Sequence, residues 1–195
     1  MKIEVLRQIR PFFFSSGEAA EVLRTTRASG RVACHRYVQR KLLVRVKRDV
    51  YVLAENWRNA DQRSFYALAN RLQVPSYVSF TTALSFHEKT TQIQRDFFES
   101  AAVIRTSDRE IGGIRFRHLK IQKKLYFGFV KKDGFFIATP EKALLDSLYL
   151  ASLHRYRFDG SAVDLDAFDP KELKRQAGFF PPQVRALLEK YVRAR

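Results

Sequence analysis

The chain is poor in cysteine and in acidic side chains, and it has no long apolar run. Its 195 residues include one cysteine, Cys34, which excludes an internal disulfide framework and a metal site built from cysteine pairs. No segment approaches the 18 or so uncharged apolar residues of a membrane span, and residues 1–7 lack the apolar core of a signal peptide. The sequence therefore predicts a soluble, cytoplasmic protein.

Basic residues greatly outnumber acidic ones. The chain has 36 Lys and Arg against 20 Asp and Glu, a formal net charge of +16. Such a surface attracts polyanions, so nucleic acid is the expected partner. An anionic membrane surface is the weaker alternative, because no helix pairs a strongly apolar face with a purely basic one. Hydrophobic residues make up 46% of the chain, which suffices for a core and excludes a disordered polymer.

The first forty residues predict short helices. Ser15 followed three residues later by Glu18 forms a capping box, which indicates a helix start. Ser29 is expected to cap a further helix that runs to about Lys41. On a helical wheel this last helix places Cys34 on its buried side and its Arg, Gln and His side chains on the opposite side. Two short helices, a tight turn and a third helix with this Arg, Gln and His outer face indicate a helix-turn-helix.

A β-hairpin is predicted directly after these helices. Residues 42–46 and 50–53 are β-prone runs separated by Lys47, Arg48 and Asp49. A helix-turn-helix followed by a hairpin is a winged helix, whose last helix enters the major groove. There Arg reads guanine and Gln reads adenine, while the hairpin tip meets phosphates or the minor groove. The candidate DNA-binding residues are Ser29, Arg31, His35, Arg36, Gln39, Arg40, Arg45, Lys47 and Arg48.

A second basic segment lies between residues 111 and 132, which hold seven basic side chains and no acid. In a strand over residues 114–119, Arg115 and Arg117 share one face, opposite Ile114 and Phe116. That face is a candidate second surface for a polyanion, and a solvated sheet face is an equally weighted alternative. The candidate second basic surface comprises Arg115, Arg117, Lys120, Lys123 and Lys124.

The sequence after Trp57 predicts mixed helix and strand. Asp61 and Thr139 are good helix caps, and Asp133 with Gly134 suits a hairpin turn. The chain is thus predicted to be α+β, with an N-terminal winged helix-turn-helix over residues 1–57 and a larger mixed α/β domain over 58–195. The strands predicted in the larger domain are residues 77–79, 101–105, 114–119, 125–130 and 135–138.

Four motifs stand in a distinctive order along the chain. They are VYVL at residues 50–53, YVS at 77–79, ALSFH at 83–87 and ATPEKALLD at 138–146. In this order they resemble the AbiEi-type antitoxins, over about residues 10–155. ATPEKALLD is the most specific of the four. The family usually has glycine just before the VYVL run, where this chain has Asp49. Aspartate adopts a left-handed turn less readily than glycine but tolerates it, so we expect the hairpin to form.

The resemblance implies an antitoxin of a type IV toxin–antitoxin pair that acts in abortive infection. Such a protein binds operator repeats in double-stranded DNA through its winged helix and represses its own operon. Its C-terminal domain opposes a nucleotidyltransferase-like toxin without forming a stable complex with it.

The alternative is a metal-dependent nuclease, or another nucleic-acid enzyme, that the winged helix targets. Its carboxylates would come from Asp133, Glu141 and Asp146, together with Lys142. A restriction-type nuclease needs an acid and an acid-x-Lys motif on adjoining strands, whereas Glu141 and Lys142 are adjacent and follow Pro140 at a helix start. We therefore expect Glu141 and Asp146 to be capping and helix-surface groups. The prediction is a non-enzymatic protein without catalytic residues, metal or cofactor.

Overall fold

The computed structural model describes residues 3–193 as a mixed α+β protein in two compact units. Within the described residues, the first unit covers the chain up to Leu68 together with Ile111–Gly113. The second unit covers Ala69–Glu110 and the chain from Ile114 onward. No helix within residues 3–193 has both the length and the apolar character needed to cross a bilayer.

The first unit consists of short helices and one hairpin. Strands β1 and β2 of the hairpin are antiparallel, with a bulge between Arg45 and Lys47. Phe14 adds a single antiparallel bridge to Tyr51, and the two residues exchange backbone hydrogen bonds of 2.8 and 2.9 Å. In chain order the elements are a 3₁₀ helix (Ile3–Gln8), α1 (Ser16–Val22), α2 (Arg27–Gln39), β1 (Leu43–Lys47), β2 (Val50–Leu53) and α3 (Ala54–Arg58).

The helix starts are set by local hydrogen bonds. The predicted capping box is confirmed, since the Ser15 side chain accepts from the Glu18 backbone N–H and the Glu18 carboxylate accepts from the Ser15 N–H. The prediction of Ser29 as a helix cap is wrong. Thr26 caps α2, its hydroxyl oxygen accepting from the Ser29 N–H at 3.2 Å, so the helix begins three residues earlier. Both residues are good caps, and the chain turns just before the earlier one, at Arg24 with a φ of +52°.

Helices α1 and α2 come very close together at Gly30. A Cβ atom on this glycine would lie 2.6 Å from the Ala20 Cβ and 2.8 Å from the Ser16 carbonyl oxygen. Neither distance is allowed between real atoms, so the crossing of the two helices requires glycine at this position. The buried core of the unit surrounds the crossing and consists of Leu6, Phe14, Ala19, Ala33, Cys34, Tyr37, Leu43, Tyr51 and Leu53.

The second unit is built on a six-stranded mixed sheet in the order β5-β6-β4-β3-β8-β7. Strands β4 and β6 are parallel, as are β3 and β8, while β3 is antiparallel to β4 and β7 to β8. The strands are β3 (Ser76–Val78), β4 (Phe97–Ala102), β5 (Ser107–Ile111), β6 (Ile114–Lys120), β7 (Phe129–Lys132) and β8 (Phe135–Ala138).

The chain from Gln62 onward also forms helices, and two predicted helix N-caps are confirmed. The Asp61 carboxylate accepts from the Ser64 N–H at 2.8 Å, and the Thr139 hydroxyl accepts from the Lys142 N–H. The helices are α4 (Gln62–Leu72), α5 (Phe80–Phe86), α6 (Pro140–Ser152), α7 (Pro170–Ala177) and α8 (Pro182–Arg193), with 3₁₀ helices at Lys123–Leu125, Gly160–Ala162 and Leu165–Ala167.

Three strands of the second unit differ from the prediction. The strand predicted over residues 101–105 begins earlier, at Phe97, and ends at Ala102. The predicted strand over residues 125–130 starts only at Phe129, because a 3₁₀ helix occupies Lys123–Leu125. Strand β5, Ser107–Ile111, was not predicted, since three of its five residues are charged and a polar edge strand has little β signal. The hairpin turn at Asp133 and Gly134 is confirmed.

We predict that Gly30→Ala destabilises the protein. The added methyl group has no room against α1, and such overpacking costs about 1–3 kcal/mol of unfolding free energy. Urea denaturation of both forms measures the loss. Gly17→Ala on α1 is the matched control, because its Cβ would meet its nearest atom at an ordinary 3.4 Å. A Gly30→Ala protein as stable as wild type would show that the two helices do not cross here.

Candidate nucleic-acid interface

One side of α2 presents basic and polar side chains to the surface. The buried residues of the helix are Gly30, Ala33, Cys34 and Tyr37, at spacings of three, one and three. This spacing buries one face of a 3.6-residue helix and leaves the rest of its circumference exposed. The predicted DNA-binding residues of this segment are all exposed, namely Ser29, Arg31, His35, Arg36, Gln39 and Arg40.

The hairpin that follows α2 carries the other three predicted residues. Arg45 and Arg48 are exposed and Lys47 is half-buried. Lys47 ends β1, and Arg48 and Asp49 form the turn before β2. Helix α2 also packs against β1. All nine predicted DNA-binding residues lie in the first unit, on α2, directly after it or on the adjoining hairpin.

Asp49 links the hairpin turn to the start of α1 through side-chain hydrogen bonds. Its carboxylate accepts a hydrogen bond from the Ser16 backbone N–H at 3.0 Å and a second, short one from the Ser16 hydroxyl. The Ser16 N–H lies in the first turn of α1, where no intrahelical acceptor exists. Asp49 has a φ of +58°, the left-handed conformation that glycine adopts most easily. The side-chain bonds to Ser16 compensate for a residue that is otherwise unfavourable there.

The electrostatics of Asp49 follow from these contacts. The hydrogen bond from the Ser16 hydroxyl lowers the pKa of Asp49 most, and the nearby charges of Arg31 and Arg27 lower it further. Its negative charge is therefore half-buried, held by the two donors of Ser16 and favoured by the nearby Arg31 and Arg27. By contrast, burial raises the pKa of the Cys34 thiol to about 11. Cys34 is thus a small apolar core residue, as the sequence predicts.

The candidate second basic surface is divided by the structure. Ile114 and Phe116 are buried on one face of β6, and Arg115 is exposed on the other, as predicted. Arg115 makes two hydrogen bonds, of 2.9 and 2.6 Å, to the Asp108 carboxylate, so its charge is compensated. The half-buried Arg117 shares its face, whereas Lys120 alternates to the opposite face. Three exposed lysines remain beyond this ion pair, Lys120, Lys123 and Lys124.

The prediction that Glu141 and Asp146 lie on a helix surface is wrong. Asp146 is fully buried and Glu141 is only 8% exposed. Lys142, one helical turn before Asp146, is also fully buried and forms a short ion pair with it. The Asp146 carboxylate further accepts from the Tyr77 and Ser79 hydroxyls, both at 2.8 Å. A charged pair four residues apart neutralises itself, which lets α6 be covered by protein on its polar side as well.

The Lys142 ammonium is enclosed by polar and aromatic partners. It donates to the Tyr77 hydroxyl at 2.8 Å, and it lies 5.1 Å from the ring centres of both Phe127 and Phe180. Burial lowers the pKa of Lys142, and the Asp146 carboxylate opposes this shift. Burial also raises the pKa of Tyr77 well above its usual value. We call Tyr77, Ser79, Lys142 and Asp146 the buried network; it joins β3, the start of α5 and α6.

The carboxylates weighed for a nuclease occupy different environments. Asp133 lies in the exposed β7–β8 turn, Glu141 lies at the start of α6, and Asp146 is engaged by three donors of the buried network. Among residues 3–193, no three His, Cys, Asp or Glu side chains form a group that could hold a metal ion.

No protein-family model matches this chain, and no curated protein is significantly similar to it. Support for a function therefore comes from the chain's own residues and motifs.

We predict that Asp49→Asn lowers stability at neutral pH and has no effect in acid. Asparagine tolerates the same turn, so the substitution removes only the charge, worth about 0.5–1 kcal/mol in these hydrogen bonds. Because the folded pKa of Asp49 is lowered, its contribution is complete above the unfolded value and is lost as the pH falls through the folded one. Urea denaturation at several pH values measures the difference.

A Ser16→Ala background is the control for this prediction. It removes the hydroxyl that donates to Asp49, so the loss of unfolding free energy caused by Asp49→Asn should become smaller. A loss of unfolding free energy that Ser16→Ala leaves unchanged, or that persists in acid, would contradict the link between the hairpin turn and α1.

We predict that Lys142→Met costs about 3–5 kcal/mol, because it leaves the Asp146 carboxylate buried without its cation. The double variant Lys142→Met with Asp146→Asn should regain a large part of that loss, since a neutral amide still accepts from Tyr77 and Ser79. Denaturant unfolding of the single and double variants measures both effects. Arg175→Met, which breaks the exposed Arg175–Glu172 pair, is the control and should cost less than about 1 kcal/mol. Equal losses at the two sites would contradict the buried network.

Proposed function

We propose that the first unit is a winged helix-turn-helix that binds double-stranded DNA. Helices α1 and α2 form the helix-turn-helix, with α2 as the recognition helix, and the β1–β2 hairpin is the wing. The observation that carries this proposal is the exposure of basic and polar side chains on α2 together with those of the adjoining hairpin. Residues 29–48 contain no acid at all.

The exposed side chains suit two kinds of DNA contact. Arg36 and Gln39, on the outer face of α2, have the donors and acceptors that recognise guanine and adenine edges in the major groove. Lys47 and Arg48, at the end of the hairpin, provide charge for phosphates. A protein with both kinds of contact binds specific sequences, and we propose that its sites are operator repeats upstream of its own operon. The chain then acts as a repressor.

We further propose that the protein is a non-enzymatic antitoxin that opposes a nucleotidyltransferase-like toxin without a stable complex. The antitoxin part of the proposal is supported by the resemblance of the ATPEKALLD motif to the AbiEi-type antitoxins. In the structure Thr139 caps α6, Pro140 is its first residue, and Lys142 and Asp146 pair in the buried network. These contacts support a structural role for the motif in the second unit.

We predict that Arg36→Ala and Gln39→Ala each cost about 1–3 kcal/mol of binding to the protein's own upstream DNA and relax the preference at one base pair. Fluorescence anisotropy with the upstream duplex and with single-base variants of it measures both effects. Failure of the wild-type chain to prefer upstream DNA over random duplex would contradict sequence-specific repression.

Two further variants separate base reading from charge in that experiment. Arg48→Ala should weaken upstream and random duplex alike and reduce the salt dependence of log K by about one phosphate contact. Arg58→Ala removes an exposed charge of the same unit outside α2 and the hairpin, so it should change neither specificity nor affinity by more than a small factor. An Arg58→Ala effect as large as that of Arg36→Ala would indicate diffuse charge attraction only.

We predict that antitoxin activity survives the loss of DNA binding. The full chain with Arg36→Ala and Arg48→Ala, expressed from an unrelated promoter, should restore growth to cells that express the toxin, as wild type does. Its second unit is unchanged by these substitutions. Colony counts with and without toxin measure the rescue. If wild type itself fails to rescue growth, the antitoxin proposal is wrong while the DNA-binding proposal stands.

A further inference from the structure

Helices α7 and α8 enclose an apolar groove in the second unit. Val192, near the end of α8, and Pro170, at the start of α7, line the same cavity, so the two helices border it in antiparallel directions. Two adjoining cavities of about 300 and 520 Å³ share Pro170, Leu173 and Val192 and form one continuous groove. Its apolar lining consists of Leu165, Phe168, Pro170, Leu173, Ala177, Leu188 and Val192.

The apolar stripe of α8, formed by Val184, Leu188 and Val192, becomes exposed toward the end of the helix. Val184 is the buried residue of this helix, and Leu188 is half-buried. Val192, one turn further, is 55% exposed. Leu188 and Val192 are four residues apart and therefore face the same side, where they border the groove. The apolar stripe of an amphipathic helix is normally buried against protein, because each apolar side chain that leaves water contributes favourable free energy.

The rim of the larger cavity is positively charged. Lys174 of α7 and Arg185 of α8 border it from either side, and Lys190 lies further along α8. Glu189, the acidic residue on this rim, is 3.7 Å from Arg193 and so is partly compensated. The smaller cavity has the opposite character, with Asp166 in its lining. An occupant of the groove would therefore meet positive charge along the larger cavity.

We propose that this groove docks an acidic amphipathic helix of a partner protein. A channel between two helices accepts a third, whose apolar side chains would pack on Leu173, Leu188 and Val192. Acidic flanks on that helix would complement Lys174 and Arg185. A second copy of this chain is the poorer occupant, because it brings the same basic rim and a further net charge of +16. The proposal does not depend on DNA binding, since none of the nine candidate DNA-binding residues lies in the groove.

A synthetic peptide tests this docking on the full chain. The probe is a fluorescein-labelled helical peptide with leucines at i, i+4 and i+7 and glutamates on either side of that stripe. The matched peptide keeps the leucines and replaces every glutamate by lysine. Fluorescence anisotropy should show the glutamate peptide binding about tenfold more tightly than the lysine peptide, through opposite charge at the rim. Equal affinities for the two peptides would overturn the proposal.

Variants of the chain locate the binding in the groove. Val192→Asp should weaken the glutamate peptide by about tenfold or more, because it places a charge on the apolar contact. Lys174→Glu and Arg185→Glu should each weaken it by about threefold, as expected for exposed charges. Ile93→Asp, at a site 75% exposed elsewhere in the second unit, is the matched control and should have no effect. Binding that Val192→Asp leaves intact would overturn the proposal.

Two other occupants give distinct results with the same variants. Sedimentation velocity of the wild-type chain would reveal a dimer that Val192→Asp dissociates if a second copy fills the groove. Cosedimentation with phosphatidylserine-containing vesicles, lost in Val192→Asp, would indicate a membrane surface instead. Either result would overturn the proposal of an acidic partner helix.

Discussion

The close crossing of α1 and α2 at Gly30 determines the arrangement of the first unit. With no side chain at that position, the helices approach until the small residues Ala20 and Ala33 and the thiol of Cys34 are buried around the contact. This packing fixes which side of α2 faces the core. The charged residues of the helix then lie at the surface, because burial of unpaired Arg or His would cost several kcal/mol. The exposed face of α2 is thus a consequence of steric fit.

The hairpin is tied to the same crossing by a polar contact. Asp49 bonds Ser16, the residue whose carbonyl oxygen lies beside Gly30, so one turn of α1 supports both α2 and the hairpin. A charged residue in a glycine-like turn would ordinarily weaken the hairpin. Here its carboxylate supplies the missing acceptor of a helix start, and the surrounding Arg31 and Arg27 favour its charge. The second unit uses the same device more deeply buried, with Asp146 satisfied by Lys142 and two hydroxyls.

The parts of the fold that local chemistry determines could be predicted from the sequence. The Ser15 capping box and the exposed and buried sides of α2 depend on residues within one or two helical turns, and both are confirmed. The wrong prediction for Asp146 depends on partners that are distant in the chain. The burial of Asp146 needs Tyr77, which lies 69 residues away in the chain, and no local pattern reports that contact. Ser29 failed for another reason, since Thr26 offered an equally good cap nearby. The hydroxyl bond from Ser16 to Asp49 likewise has no sequence signal.

We propose that the exposed face of α2 and the tip of the hairpin meet one duplex. Amide chemical-shift mapping of the full chain with a duplex of its upstream DNA tests it most directly. We expect the largest shifts at Arg36, Gln39 and Arg48, with the buried residues Ala33 and Tyr37 changing much less. Shifts confined to the second unit, or shifts on α2 without any at the hairpin tip, would contradict it.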